Sequence, residues 1–220
     1  MEQNFEKIIA NFESETGYIL EIRDGRPYYR GDLDLEDVTG ITSLPKDLTV
    51  GGYLDLRGTG ITSLPEGLTV GGTLDLKDCR GITSLPEGLT VGGSLDLRGT
   101  GITSLPDGLT MGGDLYLCGT GITSLPDGLT VGGSLNLEDC TGITSLPEGL
   151  AVGGFLDLRG TGITSLPEGL TVRRFLNLRG TSITSLPDGL TVGGYLDLRR
   201  TGITSLPEDL TVGGDLYLIS

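Results

Sequence analysis

A repeat of 20 or 21 residues runs through almost the whole 220-residue chain and limits the folds that it can adopt. The unit reads G-G-x-L-x-L-x-G-T-G-I-T-S-L-P-E/D-G-L-T-V. Ten copies of its Leu-x-Leu segment keep register, and their first leucines stand at positions 33, 54, 74, 95, 115, 135, 156, 176, 196 and 216. Self-similarity at this period is typical of solenoids, in which each unit stacks on its neighbours.

Each Leu-x-Leu segment predicts a short strand with both leucines pointing inward, because alternate residues of a strand face opposite sides. Further apolar residues complete one core layer, and in the second copy they are Ile61, Leu64, Leu68 and Val70. One layer cannot bury its own apolar face, so neighbouring copies must stack. We therefore predict a repeat solenoid with a parallel β-sheet of about ten short strands, roughly 45 Å long at ~4.8 Å per strand. Irregular convex turns are expected to join the strands.

The residues of one repeat also suggest a family. In the second copy they are Leu54, Leu56, Thr59, Ile61, Leu64 and Pro65. This pattern resembles the leucine-rich-repeat family in its short bacterial type, over about residues 31–220. The resemblance implies recognition of a protein partner, sometimes as an effector that acts on proteins of a host or competitor. The position of Thr59, here called the ladder position, is usually Asn in that family. In this chain it is Thr, Cys or Val. A hydroxyl donates one hydrogen bond where Asn donates two, so we expect different hydrogen bonding in this turn.

Three copies contain 21 residues, because one residue is inserted after the ladder position in the segments that begin at Asp37, Asp78 and Asp139. Cys79 and Cys140 occupy the ladder position, and we predict that both are buried packing residues. Cys118 lies at an outward strand position and is predicted to be the most accessible thiol. Three cysteines without a close pair fit neither a disulfide framework nor a CxxC metal site.

The first 30 residues lie outside the repeat and predict a cap, so we divide the chain into a cap at 1–30 and a solenoid at 31–220. Apolar residues at helical spacing predict a helix from about residue 3 to 14, and they are Phe5, Ile8, Ile9 and Phe12. The segment from Tyr18 to Ile22, followed by Asp24-Gly25, predicts the start of a hairpin. Helix and hairpin are expected to cover the first repeat.

Composition narrows the function. The chain has no histidine, and 15 basic against 30 acidic residues give a formal charge of −15. Histidine is the commonest general base and metal ligand, so we expect no enzyme, no cofactor and no metal site. The negative charge would repel phosphates, which argues against nucleic acid as a partner. Without a basic start or an apolar run of ~20 residues, we expect a cytoplasmic, acidic protein that does not bind membranes. Export without a Sec signal stays open.

The outward strand positions form columns across neighbouring repeats, and two of them are informative. The middle residue is mostly Asp, and the residue two positions later is often Arg, which predicts compensating charge pairs on one face. Such predicted pairs are Asp55 with Arg57, Asp96 with Arg98, and Asp197 with Arg199. The residue before the first leucine becomes aromatic in repeats 7 to 9, where Phe155, Phe175 and Tyr195 are predicted to stack.

We predict a partner-binding site around this aromatic column. Six arginines and two aspartates leave it with a net charge of +4 in a protein of −15. Aromatic residues with arginine are typical of interface hot spots. The predicted site consists of Phe155, Phe175, Tyr195, Arg159, Arg173, Arg174, Arg179, Arg199, Arg200, Asn177, Asp157 and Asp197.

Three hypotheses for function follow from these patterns. The first is a non-catalytic module that binds a protein partner through the exposed sheet face. The second is a receptor or sequestering protein for a small anionic or aromatic ligand, with rings that stack and arginines that hold anionic groups. The third is a structural element that assembles through an uncovered C-terminal strand edge, as a two-fold homodimer joined end to end. The predicted dimer edge consists of Leu216, Tyr217, Leu218 and Ile219.

Overall fold

The repeats stack into a parallel β-solenoid of about ten turns, as the sequence predicts. The structure is a computed structural model that describes residues 2–218, with side chains from residue 6 onward. A helix, Glu2–Thr16, and an antiparallel hairpin, Glu21–Arg23 with Arg26–Tyr29, precede the solenoid. Every later strand pairs in parallel with the equivalent strands of the neighbouring repeats.

The Leu-x-Leu segments form a ten-stranded sheet, here called the leucine sheet. Equivalent residues stand opposite each other, so Leu156 pairs with Leu135 and Leu176. Its strands are Leu33–Asp34, Leu54–Asp55, Leu74–Asp75, Leu95–Asp96, Leu115–Tyr116, Leu135–Asn136, Leu156–Asp157, Leu176–Asn177, Leu196–Asp197 and Leu216–Tyr217.

A second parallel sheet, here called the threonine sheet, occupies part of the region where the sequence predicts irregular turns. It has eleven strands, because the hairpin adds two, and Tyr29 of the hairpin pairs with Val50. Its other strands are Thr49–Val50, Thr69–Val70, Thr90–Val91, Thr110–Met111, Thr130–Val131, Ala151–Val152, Thr171–Val172, Thr191–Val192 and Thr211–Val212.

The core lies between the two sheets and is built almost entirely from leucine, isoleucine and valine. Both leucines of each strand from Leu33 to Leu196 are fully buried. The ladder threonines also turn inward, and the Thr161 hydroxyl donates to the Leu158 carbonyl at 2.6 Å. One donor and one carbonyl thus close the turn in place of an asparagine. Cys79 and Cys140 are buried, as predicted, and their thiols donate to leucine carbonyls of the preceding repeat at 3.0 Å.

The residue before the ladder position has a left-handed backbone. Glycine fills it in most 20-residue copies, as at Gly180 with φ 73°. Aspartate fills it in the three 21-residue copies, with φ between 59° and 62°. Short polar residues tolerate this conformation better than most. Arg200, with φ 59°, lacks that advantage.

The cap covers the first repeat through two apolar helix residues, Ile9 and Phe12, which are buried. Ile8 of the predicted apolar face is instead largely exposed, and the Phe5 side chain lies outside the described residues. The Glu13 carboxylate accepts the Leu20 N–H at 2.8 Å and joins helix to hairpin. Among the helices of residues 2–218, none combines the length and apolar character that a bilayer crossing requires.

Candidate binding site on the leucine sheet

The outer face of the leucine sheet carries a regular polar framework. In each repeat with Asp or Asn at the middle position, the side-chain oxygen accepts the backbone N–H two residues later. The distance is 3.1 Å both from Arg159 N to Asp157 and from Arg179 N to Asn177. This bond fixes the start of the next turn, so Asp and Asn serve equally well as its acceptor.

The predicted charge pairs form on this face. The Arg57 guanidinium contacts Asp55 at 2.5 Å, Arg199 contacts Asp197 at 2.5 Å, and Arg98 contacts Asp96. These three aspartates are at most 6% exposed, whereas their arginine partners remain partly exposed, so each pair joins a buried carboxylate to a partly solvated guanidinium. The hydrogen bond from Arg199 holds the pKa of Asp197 below its ordinary value.

Three aromatic rings stack on adjacent strands, on the solvent side. The Phe155 and Phe175 ring centroids are 4.9 Å apart with planes 8° from parallel, and those of Phe175 and Tyr195 are 3.9 Å apart at 14°. Tyr217 closes the row edge-on, 5.8 Å from Tyr195. Phe155 at the other end remains 40% exposed. The stack thus presents one open face.

The residues before the first leucine of each repeat form one column across the sheet, and its polar side chains give way to aromatic rings at Phe155. Elsewhere in this column, small polar side chains accept a backbone N–H of the next repeat, as Asp114 does from Ser134 at 2.6 Å. The last of these bonds joins the Phe155 N–H to the Ser134 hydroxyl at 3.1 Å. In this and the next two repeats the column supplies the rings of Phe155, Phe175 and Tyr195 instead. The open face of Phe155 therefore stands beside the small side chain of Ser134.

A groove of about 320 Å³ lies along the stack. Its lining consists of Tyr116, Ser134, Leu135, Asn136, Phe155, Leu156, Asp157, Phe175, Asn177 and Tyr195. Sequence reasoning missed Tyr116, Ser134 and Asn136. The signal was present, because Tyr116 and Asn136 depart from the aspartate column next to the aromatic one.

Arg179 differs from the other arginines of this face. Arg57, Arg98, Arg159 and Arg199 each follow an aspartate by two residues and form an ion pair with it. Arg179 follows Asn177, and across residues 2–218 its guanidinium forms no ion pair. Arg159 is doubly engaged, with Asp157 at 2.7 Å and Glu138 at 3.0 Å. The cationic character of this face therefore rests on Arg179 more than on its paired neighbours.

The six arginines of the predicted partner-binding site lie on different parts of the solenoid. Arg173 helps to line a depression over the threonine sheet, beside Gly153 and Thr171. Arg200 lies in the turn after the leucine strand. Arg174 precedes Phe175 in the bend between the two sheets, and it does not line the groove along the stack. Only part of the predicted set thus surrounds the aromatic stack.

The residues of the predicted dimer edge lie at the last described strand. Leu216 is half-buried, Tyr217 and Leu218 are exposed, and Ile219 lies outside the described residues. The Tyr217 ring extends the aromatic row, and the Arg199 guanidinium lies 5.3 Å above it.

Three clustered carboxylates are the described residues closest to a metal-binding arrangement. One oxygen each from Asp34, Glu36 and Asp55 lies within 4.8 Å of the others. Arg57 bonds to both Glu36 and Asp55. The guanidinium offsets part of the negative charge that would attract a cation.

No protein-family model, curated protein or solved structure matches this chain. Its candidate function therefore rests on the geometry of the leucine sheet.

Proposed function

We propose that this protein is a non-catalytic binding module of the leucine-rich-repeat type, which recognises a protein partner through the outer face of the leucine sheet. The contact centres on the groove beside Phe155, Phe175 and Tyr195. The Leu-x-Leu strands and stacked 20-residue turns support the assignment to this type.

One observation carries the proposal, namely the aromatic stack on the solvent side of a rigid sheet. Aromatic side chains bury large areas on binding and dominate interface energetics. Neighbouring rings hold Phe155, Phe175 and Tyr195 in place, so little side-chain freedom is lost when a partner binds. In repeats 3 to 6 the residues before the first leucine are small and polar, which separates the stack from Tyr53, the other ring of this column.

The shape of the groove favours a protein over a small molecule. Its volume of about 320 Å³ is at the lower end of the range for ligand pockets, ~300–1,000 Å³. Pockets for small ligands bury most of the ligand surface, whereas this groove is open along the sheet. A partner that spans several strands can cover the rings and the polar rim together.

The test compares proteins captured by immobilised wild type and by a variant that restores the polar column, Phe155→Ser, Phe175→Ser and Tyr195→Ser. Ser134 shows that serine fits this position. The matched control is Tyr53→Ser, which removes a ring from the same column outside the stack. We expect quantitative mass spectrometry to identify proteins that wild type and control retain and the triple variant loses. Identical sets for all three proteins would contradict the proposal.

A further inference from the structure

Arg179 lies in the turn that follows the strand Leu176–Asn177, and Phe175, the central ring of the stack, directly precedes that strand. Phe175, Asn177 and Arg179 alternate along the outer face, and Phe175 stacks on both neighbouring rings. The Asn177 side-chain oxygen accepts the Arg179 N–H at 3.1 Å, as an aspartate does in the equivalent turns. Asparagine thus preserves the turn but brings no carboxylate to the guanidinium.

The floor of the groove has lost acidic charge at two strands. Asn136 and Asn177 replace the aspartate of the column, and each uses its oxygen for the backbone bond. Their amide nitrogens remain hydrogen-bond donors. Between them, Asp157 is engaged by Arg159 through both carboxylate oxygens. In a protein of charge −15, this groove therefore offers amide donors, and Arg179, two residues after Asn177, offers a cation beside it.

We propose that Arg179 binds the carboxylate of an aspartate or glutamate side chain in the protein partner, which takes the place of the aspartate absent at position 177. An apolar or aromatic side chain of the same segment packs on the open face of Phe155. Arginine matches a carboxylate with two parallel hydrogen bonds. Adjacent strands lie about 4.8 Å apart, so an extended segment of a few residues reaches both points.

This inference rests on the proposed function, and it is tested by selection from a random 12-residue peptide library displayed on phage. The library is selected on wild type, on Asn177→Asp and on Phe155→Ser. Asn177→Asp supplies the internal carboxylate that the other four arginines have. Thr73→Asp is the matched control, because it adds the same charge to the sheet face outside the groove, at a position where other repeats carry aspartate.

We expect peptides selected on wild type to be enriched in Asp or Glu near an aromatic residue, relative to the unselected library. Fluorescence polarisation with the consensus peptide should show binding at least about tenfold weaker for Asn177→Asp, since a hydrogen bond to a charged group is lost. The control should bind like wild type. Replacement of the acidic residue in the peptide by its amide should weaken binding to wild type by a similar factor. Thermal unfolding verifies folding, and Arg179→Gln carries the same test if Asn177→Asp does not fold.

The outcomes separate the two proposals. Peptides that wild type binds and Phe155→Ser loses, without acidic enrichment, would overturn the role of Arg179 and leave the groove as a binding site. Equal affinity of Asn177→Asp and wild type for the consensus peptide would overturn it in the same way. If wild type selects no peptide that Phe155→Ser loses, both proposals are wrong.

Discussion

At the scale of single residues, the charge balance of the outward aspartate column depends on whether each carboxylate has its own arginine. Asp75 is followed by Lys77, which forms no ion pair with it among the described residues. The nearest guanidinium belongs to Arg57, whose Nε lies 3.5 Å from the Asp75 carboxylate. Burial raises the pKa of Asp75, and the charges of Asp96 and Asp55 on the adjacent strands raise it further. Asp75 is therefore a source of repulsion in the sheet.

Asp75→Asn should stabilise the fold, because asparagine keeps the bond to the Lys77 N–H and removes the repelled charge. We expect an increase of a few tenths to about 1 kcal/mol in the free energy of unfolding at pH 7, the range for like charges on adjacent strands. The pKa of Asp75 in the folded state lies above its value in the unfolded chain, so at a pH between the two values the folded state holds more protons. The free energy of unfolding of wild type should therefore approach that of the variant as the pH falls through this interval. Urea unfolding at pH 7 and below pH 4 measures both values, and an advantage that persists at low pH would contradict this origin.

Arg200 illustrates a backbone position at which most residues are unfavourable. Its left-handed conformation costs a residue with a side chain about 1–2 kcal/mol, whereas glycine adopts it freely. Arg200→Gly should therefore raise the free energy of unfolding by about 1 kcal/mol. The reverse change at the equivalent position, Gly180→Arg, should lower it by a similar amount. Chemical denaturation of both variants tests the pair, and a destabilised Arg200→Gly would show that the side chain contributes more than the backbone conformation costs.

At the scale of elements, the corner between the two sheets sets how closely the turns stack. A Cβ at Gly132 would lie closer than 3.0 Å to the Gly112 carbonyl oxygen of the preceding repeat. Arg173 occupies the same position in its own repeat, and its N–H donates to the Val152 carbonyl at 3.4 Å. The equivalent bond from Gly112 to Val91 measures 3.3 Å, so its length does not distinguish arginine from glycine at this corner. What a side chain adds here is the close approach of its Cβ to the carbonyl of the preceding repeat.

Gly132→Ala should therefore destabilise the protein by about 1–3 kcal/mol, the usual cost of overpacking. Arg173→Gly should instead stabilise it, because glycine removes the Cβ that is crowded against the preceding repeat at the equivalent corners. Thermal unfolding of the two single variants provides the comparison. A neutral Gly132→Ala would indicate that the corners tolerate a methyl group throughout, and the cost assigned to Arg173 would then be wrong.

The two kinds of strand were not equally predictable. The Leu-x-Leu segments alternate inward and outward residues, so the leucine sheet follows from the sequence. The Leu-Thr-Val segments also alternate, since Leu170 and Val172 are buried and Thr171 is exposed, but the proline and glycine residues on either side of most of them favour turns. These segments become strands because the stacking of the leucine sheet places equivalent backbone groups opposite each other, as in Thr171 and Thr191. This sheet depends on the tertiary structure.

At the scale of the whole molecule, the repeat period was enough to predict the aromatic stack. It was not enough to predict where the six arginines of the proposed site lie. Residues such as Phe155 and Phe175 occupy one strand position, and the period alone places them side by side. The directions of Arg173 and Arg200 depend on the cross-section of the turn, which a linear pattern does not determine. The arginines of this face also differ in whether they have an ion-pair partner. The contrast between Asn177 and Asp157 in the sequence shows which arginine lacks a carboxylate.

Because each repeat pairs only with its neighbours, the solenoid should tolerate the removal of one whole turn. Deletion of residues 94–113 joins Gly93 to Asp114 and restores the repeat sequence in register. Nearest-neighbour stacking predicts a folded protein whose free energy of unfolding depends less steeply on denaturant concentration, since less surface is exposed on unfolding. Circular dichroism and urea unfolding measure both properties. Deletion of residues 94–103 is the control, because a half turn places leucines opposite unlike positions and should prevent folding. If the whole-turn deletion also unfolds the protein, stability depends on contacts beyond adjacent repeats.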